Sequence, residues 1–375
     1  MNTQTLKLPF YCKVTFLLAG IYFFFYILYI GQQIIVPIAC SFLISILLTP
    51  LVNILERKGI NRLLAITTAV LLAFLFTAAM VYFIISQWGL FESAMPAMTQ
   101  KLNILKDQSV QWISTHFNIS IQRIDAWFAK ARTNIIDNGN GIIGKTIITV
   151  SGFLITVFVI PVYVFMILYY EPLLLLFVKK LFNKAHHEKL ENVMILTKKI
   201  IQSYLVGLLI EAVIISAMNA TALLVIGIDY AILIGIVGAL LNMIPFIGGI
   251  IAVAIPMTIA LVTKDGIYYS VLVLLSYLLI QFIDNHYITP KIVASKVKIN
   301  ALVALMVVFI GNALWGIPGM FLAIPVTGIL KVIFSYIEPL KPFSFLLGDE
   351  MPQSGRYIFN FSRRKTGVRK SPVKI

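Results

Sequence analysis

Cysteine is close to absent. Cys12 and Cys40 are the two in 375 residues, too few for a disulfide framework and not grouped with other metal ligands. Histidine is almost as rare, four in all, and the adjacent His186 and His187 sit in a lysine-rich stretch that reads as solvated. No HExxH, no GxSxG and no His/Cys cluster at metal spacing occurs. These absences exclude the common hydrolase and metalloenzyme chemistries, so neither enzymatic activity nor a cofactor is expected. Charge is scarce as well. Asp, Glu, Lys and Arg make up 12% of the chain against 60% hydrophobic residues, where a soluble domain carries about 25% charged residues. Acids are the scarcer sign, 15 against 30 bases, which leaves a net charge of +15.

What fills the chain instead is long apolar runs. A membrane-spanning helix needs about 20 apolar residues, and runs over 14–30, 34–51, 63–85, 146–170 and 200–226 meet that need. The first run is followed at once by the second, so the pair reads as a retained helical hairpin rather than a cleaved signal. Two later tracts, 230–262 and 301–336, are interrupted, one by Pro245, Gly248 and Gly249 and the other by Gly316, Pro318 and Gly319. An unbroken run, 267–284, lies between them. Residues 87–142 are polar, and Ile121, Ile124, Trp127, Phe128 and Ala131 recur at helical spacing, as in an amphipathic interfacial helix.

Basic residues tend to stay in the cytoplasm. With Lys7 and Lys13 inside, the turn at 52–62 and the lysine-rich 171–199 are also inside, and 87–145 is outside. If the two interrupted tracts turn back as hairpins, Lys291, Lys296, Lys298 and the basic tail fall inside too. Single crossings would strand those three lysines outside. The expected fold is therefore an all-α polytopic membrane protein with about five full spans plus two broken helical hairpins. It divides into N-terminal membrane helices (1–86), an extracytoplasmic insert (87–145), a fourth span with a basic cytoplasmic segment (146–199), two repeats of a span plus a hairpin (200–262 and 263–340), and a basic cytoplasmic tail (341–375). The tail's bases accompany no nucleic-acid module, so lipid head groups rather than nucleic acid are the expected contact.

The repeat is visible in the letters. Ser203, Tyr204, Leu205, Ile210 and Glu211 match Ser276, Tyr277, Leu278, Ile283 and Asp284, and in the same register Gly238 matches Gly311 and Pro245 matches Pro318. One span plus one hairpin is an odd number of crossings, so the second copy is expected upside down relative to the first. Inverted repeats with broken helices form transporter substrate sites near the bilayer midplane.

Candidate site residues follow from that register. Tyr204, Gly207 and Glu211 share one helical face, and Glu211 falls near the bilayer centre. An intramembrane carboxylate costs several kcal/mol unless paired or protonated, so Glu211 is either a carrier of a proton or cation or an acid bonded to a neighbouring helix. Asp284 shares a face with Gln281 and is followed by Asn285. It reads equally as a pathway acid or as a solvated acid at a helix end, paired with Lys291. At the breaks, freed carbonyls and helix ends can hold polar solutes, with Asn242 and Asn312 supplying neutral hydrogen bonds. The stretch 139–146 fits the P-loop pattern GxxxxGK[ST], but it lacks the preceding buried strand and runs into a membrane span, so nucleotide binding is not expected.

The segments Tyr204 to Gly207, Asn242 to Gly248, Gln281 to Pro290 and Gly311 to Pro325 resemble the autoinducer-2 exporter (AI-2E) family of bacterial membrane proteins. The similarity covers essentially the whole chain. One departure is Leu208, where the family often carries Gln. The resemblance implies a homo-oligomeric inner-membrane transporter. Some members are associated with export of a small hydrophilic signalling molecule, others with sodium or lithium exchange for protons. Expected partners are thus a small polar solute or monovalent cation, protons and the lipid bilayer. A passive channel and a membrane scaffold remain alternatives.

Overall fold

The computed structural model describes residues 9–117, 120–123, 126, 158–244, 248–294 and 297–350. Pro245, the stretch 139–146, Ile124, Trp127, Phe128, Ala131, Lys296, the opening of the fourth span (146–157) and the tail beyond 350 lie outside the described residues.

The chain forms α1 (Phe10–Ile30), α2 (Gln32–Arg57), α3 (Arg62–Phe117), α4 (Phe158–Leu181), α5 (His187–Ile226), α6 (Ala231–Asn242), α7 (Gly248–Thr263), α8 (Ile267–Ile283), α9 (Ala301–Tyr336) and α10 (Lys341–Leu347). Apart from one isolated bridge between Ile299 and Gly348, the described residues carry no β-structure. Among the described residues, seven helical stretches are long and apolar enough, by length and composition, to cross a membrane. They expose large apolar side chains, as lipid requires: Phe16, Phe23 and Phe24 of α1 are all exposed. The protein is an all-α, multi-pass membrane protein.

Local sequence sets several boundaries. Asn61 starts α3 by accepting the Leu63 N–H at 2.8 Å, and Asn300 starts α9 by accepting from Val303 at 2.9 Å, both satisfying donors that have no partner within the helix. Gly227 ends α5 in the left-handed region at φ 81. Its N–H and that of Ile228 return to Leu224 and Leu223, the paired closure that favours glycine there.

Two helices outrun the bilayer. At about 1.5 Å per residue, the 40 residues of α5 extend about 60 Å, twice the hydrocarbon thickness of about 30 Å. In α3, 56 residues form one helix, of which Arg62–Ser86 is the apolar span. The polar residues that follow, through Phe117, continue the same helix.

Ion pairs sort the loops into two groups. Lys101, on the polar extension of α3, bonds Asp265 at 3.0 Å and the Lys264 carbonyl at 3.2 Å, and Lys264 approaches Asp229 at 3.9 Å. At the other end of α5, Lys198 and Arg62 both meet Glu171, at 2.9 and 3.4 Å. Lys331 donates to the Lys298 carbonyl, and a Cβ on Gly328 would touch both Val297 and Ile200. Residues 62, 171, 198, 298 and 331 therefore gather at one end of the molecule, and 101, 229, 264 and 265 at the other.

This grouping settles the path of the interrupted tracts. Asp229 precedes α6 and Lys264 follows α7, yet they sit side by side, so α6 and α7 form a hairpin that enters and leaves at one end. Their lengths, 12 and 16 residues, are too short for full spans. Similarly, α9 leaves Asn300 and returns to α10, whose Ser344 hydroxyl donates to the Lys331 carbonyl. Its turn is Gly316, at φ 61 and ψ −140, a conformation essentially confined to glycine. The two arms close so tightly that a Cβ on Gly311 would lie 2.3 Å from the Gly319 carbonyl oxygen. The two hairpins enter from opposite ends.

Candidate functional site: a carboxylate pair in an intramembrane cavity

Between α5, α6, α7 and α8 lies a cavity of about 810 Å³. Much of its wall is apolar, from Leu208, Val253, Met257, Leu278 and Ile324, but most of its polar groups gather in one place.

That place is created by a distortion of the helix after α8. Over Asp284–Ile288 and again over Pro290–Ala294 the chain winds as π-helix. Five residues of an ordinary α-helix rotate by about 500°, leaving residues i and i+5 about 140° apart. The wider i→i+5 turn brings them nearly into line. Asp284 and Thr289 are such a pair, and the Thr289 hydroxyl lies 3.0 Å from Asp284 Oδ1. The same hydroxyl lies 3.1 Å from Glu211 Oε1 across on α5. The second oxygen of Asp284 accepts from the Asn242 amide at 2.9 Å, from the end of α6. Nearby, Gln281 donates to Asn285 at 3.3 Å. The amide oxygens of Gln281 and Asn242 converge beside Gly249, whose missing side chain keeps the space open: a Cβ there would lie 3.1 and 3.5 Å from them.

Gly207 sets the approach of α5 to this segment. A Cβ at Gly207 would come within 2.6 Å of the Ile292 carbonyl oxygen, so the two backbones meet directly. Glu211, one turn along, is thereby brought to Thr289.

The donor count at Thr289 is informative. A threonine hydroxyl has one proton to give, and two carboxyl oxygens stand within hydrogen-bond distance. Both contacts are favourable when one carboxyl carries a proton, or when a cation joins the pair. Two bare carboxylates on one hydroxyl would leave like charges apposed in a medium that strengthens their repulsion.

Of the residues singled out by sequence, Tyr204, Glu211, Asn242, Gly249, Gln281, Asp284 and Asn285 line the cavity. Asp284 is only 2% exposed, so it is not the solvated acid at a helix end that one reading of the sequence allowed. Glu211 is half-buried. Gly207 and Gly248 serve close backbone packing, Gly248 against Leu241. Asn312, Gly316, Pro318 and Gly319 belong to the second hairpin and are not among the lining residues. There the turn folds on itself, and Trp315 donates its indole N–H to the Leu28 carbonyl of α1 at 2.9 Å. Of that hairpin, Ile324 lines the cavity. Thr289, the bridging residue, escaped the sequence reading. Its signal was the repeat register, which sets Thr289 opposite Ser216.

Comparison with known proteins gives a coherent result. YrrI of Bacillus subtilis is 24% identical over 328 residues, covering 83% of this chain and 88% of that protein. YhhT of Escherichia coli is 23% identical over 337 residues, covering 86% and 90%. The AI-2 transport protein TqsA of Escherichia coli is 31% identical over 137 residues, 36% of this chain and 40% of that protein. The family model for AI-2E family transporters matches residues 16–338. With nearly the whole described membrane domain inside that match, the chain belongs to the AI-2E transporter family.

Proposed function

We propose that this protein is a proton-linked secondary transporter that exports a small polar solute, with Glu211, Thr289 and Asp284 as the coupling group and the adjoining cavity as the solute site. The observation that carries the reading is the pair of acids joined through one hydroxyl in the wall of an intramembrane cavity. A lone buried carboxylate costs several kcal/mol, and this arrangement is relieved by one proton at a time. Binding and release of that proton can then be exchanged for movement of solute. The opposed hairpins and the repeat register of Glu211 with Asp284 support an inverted repeat, whose two halves would rock to expose the cavity alternately. The lysine-rich end holding residues 62, 198 and 298 is read as cytoplasmic, the membrane as the bacterial inner membrane, and the functional unit as a homo-oligomer.

A second reading is sodium or lithium exchange for protons. It is favoured by the oxygen-rich composition of the cluster, in which two carboxyls, the Thr289 hydroxyl and the Asn242 and Gln281 amide oxygens suit a hard monovalent cation. Purified protein in liposomes, given an imposed pH gradient and assayed with sodium, lithium and small polar metabolites, separates these readings. Accumulation of a metabolite against its gradient supports export, and cation accumulation alone supports antiport. Flux that only dissipates gradients would indicate a passive channel. Absence of any flux would indicate a scaffold and reject both.

A further inference from the structure

Among the described residues, four buried side-chain atoms have no hydrogen-bond partner, Glu56 Oε1, Thr197 Oγ1, Asn219 Oδ1 and the Tyr277 hydroxyl, and the last two belong to one place. Asn219 on α5 is 2% exposed and Tyr277 on α8 is 4% exposed, yet Asn219 Oδ1 and the Tyr277 hydroxyl have no hydrogen-bond partner. Such groups cost free energy when left alone and call for an explanation. They also converge. A Cβ placed on Gly238 would lie 3.3 Å from Asn219 Nδ2 and 3.6 Å from the Tyr277 oxygen, so the Asn219 amide, through its nitrogen, and the Tyr277 hydroxyl flank the same small space beside a residue with no side chain.

Their level in the membrane is defined by the acids. Asn219 follows Glu211 by eight residues on α5, and Tyr277 precedes Asp284 by seven on α8. At about 1.5 Å per residue these are offsets of about 12 and about 10.5 Å, both towards the end that holds Asp229. Tyr277 is itself part of the cavity wall. Beyond it the way is shut by a tightly packed apolar cluster that includes Leu223, Ile259, Ala260 and Val273.

We propose that Asn219 and Tyr277 form a second station, free of charge, that binds a hydroxyl group of an uncharged polar solute between the carboxylate pair and the Asp229 end. The chemistry selects the ligand. The Asn219 amide offers a donor at this space and an unpartnered acceptor on the same group, the Tyr277 hydroxyl can give or accept, and one hydroxyl group, itself donor and acceptor, can pair with both side chains. An anion or a bare cation would find no countercharge in this apolar shell. The hydroxyl can belong to a solute or to water. The station rests on the reading of the cavity as the solute site, and it adds the substrate class: a neutral, hydroxyl-bearing molecule.

The test is ligand-dependent thermal stability of the purified full chain in detergent, with erythritol as a neutral polyol probe and sodium chloride as a separate arm. Polyols also stabilise proteins non-specifically by exclusion from the surface, an effect that rises without saturating. The station predicts a saturable component above that slope in the unmodified protein. Tyr277→Phe and Asn219→Leu each raise its half-saturating concentration by about tenfold or more, as expected for one lost hydrogen bond. Neither variant melts below the parent, because each deletes a polar group that has no partner in the folded chain. Gly238→Ala, which fills the space, weakens binding in the same way. Absence of a saturable component in the parent, or equal half-saturation in the variants, overturns the proposal. Variants that melt lower while erythritol has no saturable effect mean a structural water occupies the site, which overturns it too. Saturable binding with no flux in liposomes would instead reject the transport reading and leave the station standing.

Discussion

At Thr289 a single hydroxyl proton faces two carboxyl groups, and the consequences are specific to that atom. Thr289→Val keeps the shape and removes the bridge. Hydrogen bonds to charged groups contribute about 1.5–3 kcal/mol, so coupled flux in liposomes is expected to fall by about tenfold or more, while Thr289→Ser retains most of it. Equal flux in the valine variant would remove the hydroxyl from the mechanism. Asp284→Asn is expected to abolish pH-gradient dependence as fully as any change at Glu211, since both acids meet one hydroxyl. How much of this was legible differs from residue to residue. Glu211 stands out by hydropathy alone. Asp284 stands out as its repeat partner, but its burial does not, because it lies where a straight apolar helix would be leaving the membrane. Thr289 is concealed further, since only the π turns bring it into line with Asp284, and those turns meet Gly207 and Asn242 from distant parts of the chain.

Among the helices, glycine placement decides how hairpins close. Gly316 holds φ 61 and ψ −140, so Gly316→Ala is expected to destabilise the protein by about 1–3 kcal/mol, measured by denaturant unfolding in detergent micelles. Gly311→Val should cost more, because the added side chain meets the Gly319 backbone rather than a mobile side chain. Loss of stability confined to Gly316→Ala would mean that the hairpin arms are not closely packed. Both hairpins were legible from the lysines that a single crossing would have stranded. The length of α3 was not: its polar extension lacks the apolar period of a membrane helix, and it is anchored by Lys101 on a loop 163 residues away.

Taken whole, the molecule has two faces fixed by ion pairs, and the proposed orientation makes a further prediction. In a background lacking Cys12 and Cys40, cysteines introduced at Lys101 and Asp265 should react with an impermeant maleimide applied outside intact cells, while one at Lys341 should react only after permeabilisation. Labelling of Asp265→Cys from the opposite side to Lys101→Cys would break the first hairpin and with it the cavity. The claim on which the rest depends is that the acid pair exchanges protons for cargo. Its most direct test is internal pH, followed by a trapped dye in proteoliposomes as a transported solute or cation is added. The unmodified protein should move protons in step with the cargo, and Glu211→Gln should lower that proton movement at least about tenfold while the protein remains folded. Undiminished proton movement in Glu211→Gln would contradict the account.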